Sequence, residues 1–586
     1  MKKFWKFVLA AIVGSFVAMF IVFLLTIGMV GSLASLGGDS EPTAPQAGTV
    51  LKITGTVDEQ SGENMAVNPL TMNMDMSKTI GLYKAVKAID EAASDPSIKM
   101  IYIDASNFSA SISNLEEIRE ALVRFRASGK PVIAYADNLT VGNYYYASVA
   151  DKVVLNTFGE IVFNGLSSNI LYYKDIIDKL GVDVQLIRHG KYKSAGEPFI
   201  KNDISKENRE QYECMLSTIW DTLVEGICSS RDFSADEFNT WVENLQITDN
   251  NVAKEKGIVD ELWYKDEMTD YLCQLCEVEK AKDLKVTDLA SYASFKVKPD
   301  LKAKDKIAVI YANGEIVMGD SKDGQIGDNF AGKIKEVRED STVKAVVFRV
   351  NSPGGSVQAS AIIAREIELL KKVKPVIASY GDYAASGGYW ISCQCDKIFS
   401  DKTTLTGSIG VFGILPSFGR ALKKNLLINS VEVSNMKHGA LMDGMHPLDD
   451  EEVAFMQNSI ENIYTEFTGR VAEGRDMTVE AVDNIAQGRV WAGGDALGIG
   501  LVDEIGSLNT AIEYAASSLG LEKYQVSEYP APKTTMEKLM ELFSDGASVK
   551  VETPEVLSSI AQDFSWMEIS DRPAIMARME SVPQIR

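Results

Sequence analysis

Histidine is nearly missing from this chain: among 586 residues there are only His189, His438 and His446. A serine hydrolase that moves its proton through an imidazole therefore has few places to find one. Cysteine is scarce too, and six thiols at these spacings make no disulfide framework. Cys273 and Cys276 form a single CxxC, with neither a second such pair nor a CxxC-and-His pattern, which argues against zinc. Cys214 and Cys228 fall on a predicted helix and Cys393 and Cys395 flank a predicted strand, the placement of buried thiols. Positive charge is also short, with 59 basic against 82 acidic residues and a net charge of −23. Such a chain has no basic footprint for nucleic acid. What it has in quantity is apolar sequence, 46% of the residues, enough for the cores of two or three domains.

The first apolar stretch is a membrane segment. Lys2, Lys3 and Lys6 precede an uncharged run from Phe7 to Gly38, strongly apolar as far as Val30. About 20 residues cross a bilayer core, whereas the apolar region of a cleaved signal peptide is about 7 to 15 residues long. Residues 1–38 are thus expected to be an uncleaved anchor; the alternative is a long signal sequence cut near Leu33 to Ser35. Lysines before the span and Asp39 and Glu41 after it put the N-terminus in the cytoplasm and the rest outside. Residues 39–48, with two prolines and small polar residues, read as a linker.

From Thr49 onward short apolar strands alternate with helical segments, the pattern of an α/β fold with mostly parallel strands. Met100–Ile103, Val132–Ala134, Ala345–Val350 and Val376–Ala378 are the clearest strands. They come in pairs. DPSIKMIYIDASNFSASI from Asp95 aligns without gaps on DSTVKAVVFRVNSPGGSV from Asp340, an offset of 245, and VGNYYYASVADKVV from Val141 falls on SGGYWISCQCDKIF from Ser386 at the same offset. KGIVDEL from Lys256 is echoed by IGLVDEI from Ile499. The chain reads as a tandem duplication, with a first repeat over 49–295, a second over 296–520 and a tail over 521–586.

The copies differ where chemistry would reside. GDYAASGGYW, from Gly381, follows an apolar strand and sets Ser386 before two glycines, at a strand-to-helix turn where N–H groups and the helix dipole favour a developing negative charge. The second copy has Pro353, Gly354 and Gly355 where the first has Phe108, Ser109 and Ala110, and Ser386 where the first has Val141. Backbone donors that must approach a substrate need glycine, so nucleophile and oxyanion hole belong to the second copy. The first copy offers GKYKSAGEPF from Gly190, where Lys193 aligns opposite Ala440. Each copy thus holds what the other lacks, although Lys437 competes for the role of base and a solvated surface charge is the common fate of a lysine.

SPGGS from Ser352, GDYAASGGYWIS from Gly381, TLTGSIGVFG from Thr404, GRVWAGGDALGIGLVDEIG from Gly488 and GKYKSAGEPF from Gly190 together resemble the signal peptide peptidase A family in its long, duplicated form. That family belongs to the wider Clp protease and crotonase group. The resemblance covers about the whole chain. It implies a tandem pair of Clp protease/crotonase-like α/β repeats behind an N-terminal transmembrane helix, and a serine endopeptidase that cuts signal peptides left in a bacterial inner membrane, with its catalytic part on the periplasmic side. By position Ser386 matches the nucleophile and Lys193 the general base of a Ser-Lys dyad. Bowl-shaped homotetramers, with each dyad formed between the two repeats, are implied as well. So are hydrophobic peptide substrates, and no metal or cofactor is needed. Lysine ordinarily titrates near 10.4, so burial, roofed by residues such as Tyr389 and Trp390, must destabilise the ammonium if Lys193 is to take a proton. The oxyanion is expected at the N–H groups of Gly354 or Gly355 and of Gly387, each typically worth roughly 3 to 4 kcal/mol of barrier. Ser408 either holds the lysine amine or is a turn residue between strands.

Three rivals stand beside this reading. A crotonase-like acyl-CoA enzyme would share the glycine oxyanion hole but have little use for Ser386 or an export anchor. A non-catalytic membrane scaffold derived from a protease would tolerate loss of nucleophile or base. A Ser-His-Asp hydrolase would draw on His189 or His438.

Overall fold

The apolar runs read from the sequence at Val132–Ala134 and Val376–Ala378 open the strands Val132–Ala136 and Val376–Ala385, which are central and almost wholly buried. The computed structural model describes residues 44–67, 74–321, 324–532 and 575–579. The expected anchor over 1–38 and the first half of the linker, 39–43, lie outside these residues. Among the described residues no helix is long and apolar enough to cross a membrane. From Gln46 onward the chain is one unit.

Each repeat builds a mainly parallel sheet. The first runs Glu261–Leu262, Lys152–Leu155, Val132–Ala136, Ile98–Ala110, Thr49–Asp58, Met74–Gly81, Gly62–Val67, with Val286–Asp288 also on Thr49–Asp58. The second runs Val490–Ala492, Leu405–Gly407, Val376–Ala385, Val343–Ser352, Lys306–Asn313, Gln525–Tyr529, with Lys397–Ser400 paired to Val376–Ala385 and Glu504–Ile505.

The duplication extends to single side chains. Strands begin at Ile98 and Val343, helices at Ile112 and Val357, and strands at Lys152 and Lys397, all at the offset read from the sequence. Lys130 donates to the carbonyls of Ala92 and Asp95, and Lys374 to those of Val337 and Asp340. Asp151 and Asp396 each accept the N–H of the residue that opens the adjacent strand, Val132 and Val376. Gln525–Tyr529, assigned from sequence to the tail, is an integral edge strand of the second sheet. It lies beside Lys306–Asn313 as Val286–Asp288 lies beside Thr49–Asp58.

A third sheet belongs to neither repeat alone. Its order is Gln325–Gly327, Glu315–Val317, Gly354–Ser356, Ile575–Arg578, Val411–Ser417, Asp183–His189. The last pair is antiparallel, from Val411 opposite His189 to Ser417 opposite Asp183, and stitches the first repeat to the second.

A buried ionic cluster also joins the two repeats. Arg349, fully enclosed in the second repeat, donates to Glu59 at 2.8 Å and pairs with Glu117 at 3.1 Å, both from the first repeat. It also donates to Ser379 Oγ and the Tyr380 carbonyl. Glu117 accepts the N–H of Leu508, and the neighbouring Glu116 accepts those of Lys402 and Thr403, so one helix turn of the first copy satisfies backbone of the second. Burial pushes the Glu117 carboxyl up to about 7 against the opposing pull of Arg349. Removing one partner of a buried ion pair typically costs about 3 to 5 kcal/mol, since the other charge stays buried. Arg349→Met should therefore destabilise by about that amount, read as a lower denaturation midpoint, whereas Glu117→Gln should cost clearly less.

Candidate active site

Ser386 occupies a backbone conformation that few side chains adopt, with φ 55° and ψ −113°, between the strand Val376–Ala385 and the one-turn helix Gly387–Trp390. A non-glycine residue there costs of order 1 to 3 kcal/mol, which surrounding structure must offset. Its N–H donates to the Gly407 carbonyl at 2.8 Å, and its carbonyl accepts the Trp390 N–H at 2.8 Å. Thr406 Oγ1 holds the Ala384 carbonyl from the side. The turn is thus fixed on both flanks, and the serine side chain is buried.

Lys193 reaches Ser386 from the other repeat. The antiparallel seam ends at His189 opposite Val411, and the chain then turns through Gly190, whose φ of 108° a side chain would resist. A Cβ at Gly190 would lie 2.4 Å from the Gln487 carbonyl carbon and oxygen. Tyr192 N–H donates to that same Gln487 carbonyl at 2.9 Å, locking the loop onto the second repeat. Lys193 Nζ then lies 2.9 Å from Ser386 Oγ, 2.8 Å from Ser408 Oγ and 3.1 Å from the Ser408 carbonyl. Lys193 is fully buried, as are Ser386 and Ser408.

The lysine is enclosed by glycines and one aromatic ring. A Cβ at Gly488 would lie 2.6 Å from Lys193 N, one at Gly410 would lie 3.2 Å from its Cδ, and the Phe412 ring centroid is 5.9 Å from Nζ. Tyr389 and Trp390, expected to roof the lysine, turn into the second repeat's own core. Tyr389 donates to the Leu501 carbonyl and the Trp390 ring packs on Phe467.

Two of the three glycines expected at the oxyanion hole, Gly354 and Gly387, meet beside the serine. A Cβ on Gly354 would lie 2.5 Å from Gly387 N, so these two backbones are in direct contact. Gly354 N–H donates to Ser352 Oγ at 3.2 Å. Gly355, with a Cβ position 2.0 Å from the Ile316 carbonyl oxygen, is glycine because the neighbouring strand leaves no room.

The rival bases are engaged elsewhere. Lys437 is exposed and pairs with Glu451. His189 Nδ1 lies 2.6 Å from Glu461, its ring stacked on Tyr464, and His438 sits between Glu451 and Glu452. Two contributors escaped residue-level reading. Gly488, inside a quoted motif, forms the floor under Lys193, and the Arg489 carbonyl accepts the N–H of Ser408 at 2.7 Å. Their signal was the glycine before Arg489, which only a three-dimensional neighbour explains.

Comparison with known sequences bears on the same residues. The profile of "Peptidase family S49" matches twice, over residues 124–279 and 368–522, once in each repeat. The chain belongs to peptidase family S49. "Protease 4" of Haemophilus influenzae is 35% identical over 518 residues, which is 85% of this chain and 83% of that protein. "Protease 4" of Salmonella typhi is 34% identical over 560 residues, covering 92% of this chain and 89% of that one. A "Putative signal peptide peptidase SppA" of Enterococcus faecium is 35% identical over 254 residues, 42% of this chain and 72% of its own length. This S49 protein is a serine protease, as the motifs implied, and the resemblance to signal peptide peptidase A holds over most of the chain.

Ser408 has two atoms on the lysine amine, and a hydrogen bond to a charged or reacting group is worth about 1.5 to 3 kcal/mol. Ser408→Ala removes the hydroxyl and leaves the carbonyl. In this S49 peptidase it should lower kcat about ten- to a hundredfold with little change in KM, and Ser408→Thr should recover part of the loss.

Proposed function

We propose that this S49 peptidase is a membrane-anchored endopeptidase that degrades cleaved signal peptides through a Ser-Lys dyad, Ser386 as nucleophile and Lys193 as general base. The observation that carries the reading is the 2.9 Å contact between Lys193 Nζ and Ser386 Oγ across the two repeats. A neutral amine has two N–H donors and one lone pair. Ser408 Oγ and the Ser408 carbonyl suit the donors, leaving the lone pair for the Ser386 hydroxyl. Full burial destabilises an ammonium relative to the amine, the condition for a lysine to act as base. The amine takes the hydroxyl proton as Oγ attacks the scissile carbonyl, hands it to the leaving amine, and repeats the transfer for the water that cleaves the ester. Developing charge on the carbonyl oxygen falls to backbone N–H groups among Gly354, Gly355 and Gly387.

Each repeat is read as a Clp protease/crotonase-like unit, with support from the parallel sheets and the glycine strand beside the nucleophile. The anchor over 1–38, with the catalytic part on the periplasmic side of a bacterial inner membrane, rests on the charge pattern around the apolar run. Signal peptide cores are the hydrophobic substrates that such a position would supply. Assembly as a homotetramer is supported by the exposed Leu427, Val431, Val433 and Met436, apolar side chains that a neighbouring copy would cover.

The test is cleavage of a hydrophobic reporter peptide by residues 48–586. Ser386→Ala and Lys193→Ala should each lose at least about a thousandfold in kcat while staying folded, and His189→Ala and Lys191→Ala should stay within a few-fold of wild type. A lysine base should give a rate that rises through and above neutral pH, whereas a histidine base would level off near neutrality. Full activity in Lys193→Ala would overturn the dyad, and a wild type inactive on every hydrophobic peptide would favour the scaffold.

A further inference from the structure

The long helix Asp450–Arg475 of the second repeat presents a polar stripe to the end of the seam strand, just before Lys193. Gln457, Glu461 and Tyr464 follow one another at the four- and three-residue spacing that puts side chains on one helix face. Gln457 donates to the Arg188 carbonyl at 3.3 Å and to Glu461 at 2.6 Å. Glu461 lies 2.6 Å from His189 Nδ1, and the Tyr464 ring stacks on the His189 ring with centroids 3.6 Å apart. Arg188 in turn donates to the carbonyl of Lys193 at 2.5 Å. The helix is thus docked on the strand that leads to the lysine.

The hydroxyl of Tyr464 reaches further than its ring. It donates to Asp483 Oδ1 at 2.5 Å and accepts the N–H of Gln487 at 3.3 Å. Asp483 Oδ1 also accepts from the side-chain amide of Gln487 at 2.6 Å. Gln487 has φ 56°, a left-handed conformation that a residue other than glycine keeps only when its surroundings enforce it. Tyr464 and Asp483 are those surroundings, one on its backbone and one on its side chain. The turn they hold is the floor of the site. Gln487 presents its carbonyl to the Tyr192 N–H, Gly488 lies under Lys193 with its own N–H donating to the Ile409 carbonyl at 2.8 Å, and Arg489 presents its carbonyl to the Ser408 N–H. Both the lysine and the serine that holds its amine therefore rest on residues 487–489.

Resting on the dyad reading above, we propose that Tyr464 is a positioning residue for the peptidase reaction: its hydroxyl, bridging Asp483 to the Gln487 N–H, fixes the turn on which Lys193 rests and so sets the amine against Ser386. Lys193 comes from the first repeat, whereas the three oxygens around its amine belong to the second. Their spacing holds only while the floor beneath the lysine keeps its shape. A misplacement of about 1 Å can cost a reaction about a hundredfold. Tyr464 acts through that spacing, so it governs the chemical step rather than peptide binding.

The test compares wild type, Tyr464→Phe, Lys193→Ala and Tyr292→Phe as full chains in detergent on the hydrophobic reporter peptide. Tyr464→Phe keeps the ring on His189 and removes the hydroxyl alone. It should lower kcat about tenfold at neutral pH with KM within about twofold, and should move the rising limb of the pH–rate profile up by at least about half a unit, because a less firmly enclosed amine is more readily protonated. Tyr292→Phe, which removes a buried hydroxyl bonded to Asp95 in the first repeat, should leave both unchanged. Gln487→Val, whose branched side chain resists positive φ, should lose more than Tyr464→Phe, and Gln487→Gly should regain most of that loss. If Tyr464→Phe keeps the wild-type kcat and pH profile while Lys193→Ala is inactive, the positioning role is overturned and the dyad stands. A fall in kcat with an unmoved pH limb, or an equal fall in Tyr292→Phe, makes the effect one of stability and overturns the role as well. If Lys193→Ala keeps full activity, both readings fall together.

Discussion

The antiparallel pairing of Asp183–His189 with Val411–Ser417 is the contact on which the rest of this S49 protease depends. A lysine and a serine on different repeats can be held 2.9 Å apart only if the backbones that carry them are rigidly joined. The seam does this by ordinary strand hydrogen bonding, and its last pair, His189 with Val411, delivers the chain to Gly190 three residues before Lys193. Gln487 and Gly488 then receive the loop from below. The ionic cluster of Arg349 with Glu59 and Glu117 joins the repeats a second time.

Both junctions place polar groups where water is excluded, and each is satisfied in its own way. Arg349 is surrounded by carboxylates and carbonyls, so its charge is compensated within the protein. Lys193 is set among a glycine floor, the Phe412 ring and hydroxyl and carbonyl oxygens. The first environment stabilises a cation, and on the proposed reading burial of the second would favour the neutral amine that a base requires.

Much of this was legible in the sequence because it was written locally or written twice. The strands Val132–Ala136 and Val376–Ala385 open on the apolar runs Val132–Ala134 and Val376–Ala378, and the 245-residue offset reproduces strand and helix starts such as Ile98 and Val343 or Ile112 and Val357. Ser386 and the glycines stood out because the first copy lacks them. The loop around Lys193 was legible by subtraction between copies, which is why Lys437 could compete with it until backbone pairing set the register. Arg349 with Glu59 was not legible at all, since partners 290 residues apart leave no periodic or motif signal. The strand Gln525–Tyr529 was hidden for another reason. It is a half-buried edge strand, QVSEY, with too few apolar residues to stand out without the sheet it completes.

The glycines of the second copy show how a duplicated fold acquires one site rather than two. Gly355 must lack a side chain because the Ile316 carbonyl lies where its Cβ would be, and Gly354 because Gly387 N and the Ala577 carbonyl do. The first copy carries Ser109 and Ala110 at these positions, where its strand pairs with Thr56 and Val57. Loss of the seam would separate serine from lysine without altering either residue. On the proposed reading, the peptidase is assembled only when both halves have folded and met, which keeps a reactive serine from existing in a partly folded chain.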